Sequence, residues 1–367
     1  MLKLSRPNIS EEAIAAVADV LRSGNLVHGP ENEAFEQDLA RYLGCSDVVL
    51  VSSGTAALHV ALMALDIGPG DAVLLPDFTF PATGNVINLM GARPVLVDVL
   101  PGTYNLDPDA LRDVIAQWQG PERLRAIMPV HEFGCPADMA AINAVAQEHG
   151  LFVVEDAACA LGAEMDGQKA GTLGTVGCFS FHPRKTLTTG EGGAIATNDA
   201  KLAARLRRLR NHGMERDARG LTFIESSTNY RLTQFQAVLG RHQLPHLDQW
   251  IAKRRSLVEE YVAGLPGNAL ALPDLSKGHS WQTFMVVLPN GVDRSQVIKL
   301  LNAQGIESNL GAQSLSSIGL YGSPDAEVVV GSKLARQGLA LPLYEEMSRA
   351  DVAQVCSAIK QVLQTIG

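Results

Sequence analysis

Two rhythms of apolar and polar residues run through the first two hundred positions of the chain. In one, apolar residues recur every three or four positions. Ile14, Val17 and Leu21 share a face between positions 10 and 23, which predicts an amphipathic helix. Ser10 is placed to cap it, Glu11 and Glu12 to meet the positive end of its dipole, and Gly24 to stop it. Phe35, Leu39 and Leu43 repeat the pattern before Gly44. In the other rhythm, apolar runs are short and continuous: 48–51, 72–75, 94–99, 124–130, 151–155 and 178–181. Helical periodicity fills most of the gaps, as at 56–65 and 138–149. Continuously apolar strands separated by helices predict an α/β fold whose mainly parallel sheet is covered on both faces.

The pattern changes near Pro245. A charged helix around 248–263, with Lys253, Arg254, Arg255, Glu259 and Glu260, precedes the turn-rich Gly264-Leu265-Pro266-Gly267-Asn268. Beyond it, 283–288 reads as a strand, 295–304 as a helix and 349–363 as a final amphipathic helix. This predicts a large domain over 1–245, N-terminal helix included, and a smaller α+β domain over 246–367. No internal repeat is evident.

Composition narrows the classes. Of 367 residues 46% are hydrophobic and 19% charged, enough to bury a core and unlike a disordered chain. The net charge of −9 argues against nucleic acid or an anionic membrane as the main partner. No apolar run is long enough to span a bilayer, and the opening residues lack a signal-peptide block, so the protein is expected in the cytosol. Five cysteines without a C-x-x-C pair suit reduced thiols better than disulfides or structural zinc.

The familiar phosphate loops are missing: no G-x-x-x-x-G-K-[ST], and no G-x-G-x-x-G opening a helix after a strand. The glycine-rich run from Gly171 to Gly177 precedes a strand and reads as turn punctuation. His131 and Cys135 are two lone groups, too few to predict a metal site. Ser52-Ser53-Gly54-Thr55-Ala56 joins an apolar strand to a helix, so it is either a plain N-cap or an anion site with Gly54 allowing close approach. Asp156 closes another apolar strand, where it could pair with a cationic ring nitrogen, hold a metal or cap a helix. Lys185 follows the next strand among small residues and glycines, as a solvated charge or a reactive amine. Together and in this order, the three supply what pyridoxal phosphate needs: an anion cradle, a partner for the pyridinium nitrogen and an amine for the Schiff base.

Further segments join them: Ser23-Gly24, Gly29-Pro30, Ser53-Gly54-Thr55-Ala56-Ala57-Leu58, Thr79-Phe80-Pro81-Ala82-Thr83, Gly91-Ala92-Arg93-Pro94-Val95, Glu155-Asp156-Ala157-Ala158, Ser180-Phe181-His182 with Lys185, Gly190-Glu191-Gly192-Gly193, Asn211-His212-Gly213 and Asn229-Tyr230-Arg231-Leu232. Over nearly its whole length the chain resembles the DegT/StrS-type sugar aminotransferases, a branch of the fold-type-I pyridoxal-phosphate enzymes. The resemblance implies that Lys185 forms the Schiff base and shuttles the proton, and that Asp156 keeps the pyridine nitrogen protonated. It further implies that Gly54, Thr55 and Ser180 bind the phosphate and that Phe80 stacks on the cofactor, unless it is a core residue. Asn229 would reach the phosphate in a neighbouring subunit, hence a homodimer. His182 belongs to the pattern without an assigned step.

Two departures stand out. Cys159 occupies the place where many relatives set Gln or His near the cofactor's ring hydroxyl. A thiol bonds weakly, so that contact is expected to be weaker or made by another group. In the smaller domain, residues 306–313 carry no histidine where relatives often contact the sugar. The implied activity is transfer of an amino group, with glutamate as donor and pyridoxamine phosphate as the half-reaction form, to a keto group of a nucleotide-activated deoxysugar. The alternatives are a cyclitol or other non-nucleotide ketone as acceptor, a sugar dehydratase, and a catalytically silent regulator. Lys185 opposes the dehydratase, whose relatives carry histidine there; Lys185 and Asp156 together oppose the regulator.

Overall fold

The computed structural model describes residues 1–366 apart from 218–219, 268, 277 and 323–326, so Asn268 of the predicted turn lies outside the described residues. The first helix is α1 (Glu11–Ser23): the Ser10 side chain accepts from the Ala13 amide, and Gly24 closes the helix at φ 73°. Next come α2 (Pro30–Leu43), β1 (Asp47–Val51) and α3 (Gly54–Ala64). They are followed by β2 (Asp71–Pro76), β3 (Phe78–Thr79), α4 (Ala82–Leu89), β4 (Arg93–Val97), α5 (Pro108–Ala116) and β5 (Arg123–Ile127). Then α6 (Met139–His149), β6 (Phe152–Asp156), the small hairpin β7 (Glu164–Met165) and β8 (Gln168–Lys169), β9 (Val176–Ser180), β10 (Gly193–Thr197) and α7 (Ala200–Arg210) complete this part.

Seven of these strands form one sheet in the order β1-β10-β9-β6-β5-β2-β4. β10 pairs antiparallel with both β1 and β9, and every other pairing is parallel. The mainly parallel α/β sheet is as the sequence predicts, with β10 the one strand its small residues did not announce. Alternation sends Val49, Val51, Val73, Leu75 and Val154 to the face covered by α3, α4 and α7. Their neighbours Val48, Leu50 and Phe179 meet α2 and α8 (Gln234–Gln243), while Ala72, Leu74, Ile127 and Val153 meet α5 and α6.

A second apolar cluster gathers β13 (Phe284–Val287), α10 (Arg294–Ala303), β15 (Gly338–Leu341) and α12 (Arg349–Ile366). Between β11 (Met214–Asp217), β12 (Gly220–Phe223) and this cluster runs the long α9 (Leu247–Gly264), which serves both halves. Its Leu247, Trp250 and Ile251 join the large-sheet core, whereas Leu257, Val258 and Tyr261 join the second cluster. Arg254, one of the charged residues of this helix, is only 1% exposed and binds Glu345 at 2.9 Å. The first residues also cross over: Leu2 bridges to Ile306, and Leu343 N–H donates to the Leu4 carbonyl at 3.1 Å. A last seam is β14 (Gln313–Ser314), antiparallel to β3; α11 (Val329–Gln337) packs beside it. Among the described residues no helix is long and apolar enough to cross a membrane.

Candidate active site

β1, β6 and β9 deliver their carboxyl ends to one edge of the sheet, the edge where α/β folds take ligands. There a cavity of about 410 Å³ is lined by Gly54, Thr55, Phe80, Asp156, Cys159, Ser180, His182 and Lys185. At the end of β1, the Ser53 hydroxyl caps α3 by accepting from the Ala56 amide at 3.0 Å. The amides of Gly54 and Thr55 precede the first intrahelical bond and have no acceptor within the helix. A Cβ on Gly54 would sit 2.7 Å from the Ser180 Cβ, so only glycine lets the helix start this close to β9. The Ser53 cap thus leaves the Gly54 and Thr55 amides without a helical acceptor.

Asp156 ends β6 and is 5% exposed. The Thr83 hydroxyl donates to one of its oxygens at 2.8 Å and the Ala158 amide to the other at 3.1 Å. Burial pushes its pKa up, while Thr83, Ala158 and the Lys185 charge oppose the shift. Its neighbour Glu155 points the other way, into a ring of donors: the amides of Gly171, Leu173 and Gly174 at 2.7, 2.7 and 2.6 Å. His131 completes the ring at 2.8 Å; its Nδ1 accepts from the Ala137 amide, so its Nε2 carries the proton toward Glu155. The glycine-rich turn therefore cradles an anion after all, the protein's own Glu155 carboxylate. Among the described residues no group of three His, Cys, Asp or Glu side chains could hold a metal.

Beyond β9 the chain turns, with the Lys185 amide donating to the His182 carbonyl at 2.8 Å. The Lys185 Nζ lies 3.0 Å from the Cys159 Sγ, and no carboxylate of the described residues ion-pairs with it. Burial raises the pKa of the Cys159 thiol, with the Lys185 charge opposing. Burial also lowers that of His182, whose Nδ1 accepts from the Arg184 amide.

Phe80 is 59% exposed at the cavity mouth, which overturns the alternative of a core residue. Asn229 is exposed and lies outside the cavity of its own chain; its side-chain oxygen accepts from the Arg231 amide at 3.1 Å. Sequence reasoning missed Thr83 and Glu132. Thr83 carries no signal of its own, whereas Glu132 follows His131 in the short turn that continues from the carboxyl end of β5, a region that in a parallel sheet points to ligands. The wall contributed by the C-terminal half carries Gln282, Asn309 and Gln313, neutral amides, and the N-terminal Leu4 and Ser5 reach the same space.

Comparison with known proteins fits this arrangement. S. venezuelae DesV, solved in complex with a ketimine intermediate, is 36% identical, with 97% of this chain and 98% of that one covered at a TM-score of 0.88. The aminotransferase TlmJ from Streptoalloteichus hindustanus is 33% identical over 100% of this chain and 99% of its own, at 0.92. Spr1654 from Streptococcus pneumoniae, which carries a sugar-aminotransferase assignment and was solved in a PLP form, is 26% identical over 99% and 98% at 0.91. The family model for DegT/DnrJ/EryC1/StrS aminotransferases matches residues 7–360, nearly the whole chain, and the chain belongs to that family.

Proposed function

We propose that this aminotransferase holds pyridoxal 5′-phosphate in the cavity described above and moves an amino group from glutamate to a keto group of a nucleotide-activated deoxysugar. The observation that carries the reading is the convergence of three unlike groups on one cavity: a helix N-terminus beside Ser180, a buried carboxyl at Asp156, and Lys185 without a carboxylate partner. The donor set fits the cofactor. Gly54 leaves the phosphate room at the amides, and Asp156 keeps one face toward the cavity while Thr83 and Ala158 hold the rest of its carboxyl.

When bound, pyridoxal phosphate supplies an electron-accepting ring that stabilises charge developing on the substrate carbon. Gly54, Thr55 and Ser180 anchor the phosphate through amide and hydroxyl donors. Asp156 fixes the proton on the ring nitrogen, and this cation offsets the cost of burying the carboxylate. Lys185 would hold the cofactor through its amine and, when that amine is free, would carry a proton between substrate and cofactor carbons. Phe80, exposed at the cavity mouth, would cover a face of the bound ring and exclude water. Gln282, Asn309 and Gln313 supply neutral amides suited to hydroxyl groups, and Arg184 at the rim supplies charge for an anionic nucleotide.

The working unit is a cytosolic homodimer divided, in each subunit, into a large domain through about residue 245 and a smaller one after it. The dimer is supported by Asn229 lying outside its own cavity and by the exposed Val27, Phe80 and Phe223. The test is direct. Purified protein is expected to be yellow, and borohydride reduction should fix the cofactor on the peptide containing Lys185. A Lys185→Ala protein that still turns over glutamate would sink the assignment. A half-reaction screen of keto-sugars, with a cyclitol ketone alongside, then reads the acceptor; turnover of the cyclitol alone would overturn the nucleotide-sugar part.

A further inference from the structure

Glu132 begins the short helical turn after β5 and is only 4% exposed. It lines the same cavity as Asp156, Cys159 and Lys185, yet its carboxyl has no hydrogen-bond or ion-pair partner among the described residues. A buried acid left unpaired is costly, so its surroundings are complete only when something in the cavity bonds it.

Strand order says what faces it. Across the sheet the cavity wall runs from β1 and β9, with Gly54, Thr55 and Ser180, through β6, with Asp156 and Cys159, to β5 and Glu132. In pyridoxal phosphate the phosphate arm and the ring oxygen stand on opposite sides of the axis from the ring nitrogen to the reactive carbon. With the phosphate on the β1–β9 side, the nitrogen at Asp156 and the reactive carbon at Lys185, the oxygen-bearing edge turns toward β5. Cys159 is a poor candidate to satisfy that oxygen, because its thiol is a weak donor and already meets the Lys185 amine at 3.0 Å.

We propose that Glu132 is a further cofactor-binding residue, whose carboxyl group donates a hydrogen bond to the ring oxygen beside the reactive carbon. The inference rests on the pyridoxal-phosphate reading above. Protonation suits the role: burial first, then the Asp156 charge, pushes the Glu132 pKa up to about 8, with Lys185 opposing. The other groups near it are Cys159, whose pKa burial raises, and His131, which is committed to Glu155. A neutral acid can donate to the oxygen, where a carboxylate would repel it.

The test uses holoenzyme of the wild type, Glu132→Gln and Glu132→Leu. The readout is the pH midpoint of the bound cofactor's yellow absorption, which reports how tightly a proton is held beside the ring oxygen. Losing the donor concentrates charge on that oxygen and strengthens its hold on the proton. Glu132→Leu is therefore expected to raise the midpoint by about one pH unit, a tenfold change in proton affinity. Glu132→Gln retains an N–H donor and should stay near the wild type. An unshifted midpoint in Glu132→Leu overturns the proposal, and so does an effect confined to KM for the keto substrate, which would place Glu132 against substrate instead. Should the leucine variant fail to fold, difference infrared spectra of wild-type and Glu132→Gln holoenzyme decide. A protonated carboxyl band near neutral pH, lost in the variant, supports the role, and its absence from the wild type overturns it. A wild-type protein that is colourless and gives no borohydride-fixed cofactor fails the cofactor reading itself, an outcome distinct from all of these.

Discussion

Glu155 and Asp156 are consecutive acids with opposite fates. Strand alternation turns the first into a ring of four donors behind the sheet and the second toward the cavity, where two donors hold it and one face stays open. The first carboxylate is satisfied within the fold; the second retains room for a ligand cation. Glu132 is less satisfied than either, and this should register in stability. Its folded pKa of about 8 lies above that of an unfolded carboxyl, so between pH 4.5 and 8 the folded state holds a proton that the unfolded state has released. Stability from this group is complete at low pH and lost as pH rises through that window. In cofactor-free protein, the urea midpoint of the wild type relative to Glu132→Gln is expected to fall between pH 5 and pH 8. A difference that stays flat with pH would mean that Glu132 ionises as an ordinary surface acid.

Helix α9 shows what an element can hide. Its Lys253, Arg255 and Glu259 are exposed as the charge pattern implies, but Arg254 faces inward between the two halves of the helix's burial. There it donates to Glu345, 91 positions away, and to the carbonyls of Trp281 and Leu343 at 3.2 and 3.0 Å. The Gln282 carbonyl accepts from it as well, at 3.3 Å, and Gln282 and Leu343 both form part of the cavity wall, so this arginine ties the helix to the loops that shape the site. Arg254→Ala should cost about 3–5 kcal/mol, because it strands the Glu345 carboxylate and three carbonyls in a dry interior. Denaturant unfolding checks this; a loss below about 1 kcal/mol would mean water replaces the guanidinium. Periodicity could not reveal the arrangement, since an arginine's partners here come from segments distant in sequence.

At the scale of the whole molecule, the site lies where the large sheet, the C-terminal half and the first residues of the chain meet. β3 and β14 pair across this seam, with Gln313 opposite Thr79, one residue from Phe80. If Asn229 acts on the neighbouring subunit's cofactor, two inactive variants can repair each other. Refolded mixtures of Lys185→Ala and Asn229→Ala should recover about a quarter of wild-type activity, since half the dimers are hybrids with one intact site each. Activity no higher than the average of the two pure variants would place Asn229 outside any shared site. The sequence by itself determined the succession of helices and parallel strands, through periodicity and caps. It also supplied the ordered trio of Gly54, Asp156 and Lys185, because strand ends carry a ligand-binding edge that is legible in one dimension. Only the tertiary structure decided that β10 inserts antiparallel between β1 and β9, that the glycine turn serves Glu155, that Arg254 is buried, and that Glu132 shares the cavity. The reason is physical: each depends on which strands become neighbours and which side chains lose water, and hydrogen bonding and desolvation across distant segments are set only when the chain has closed.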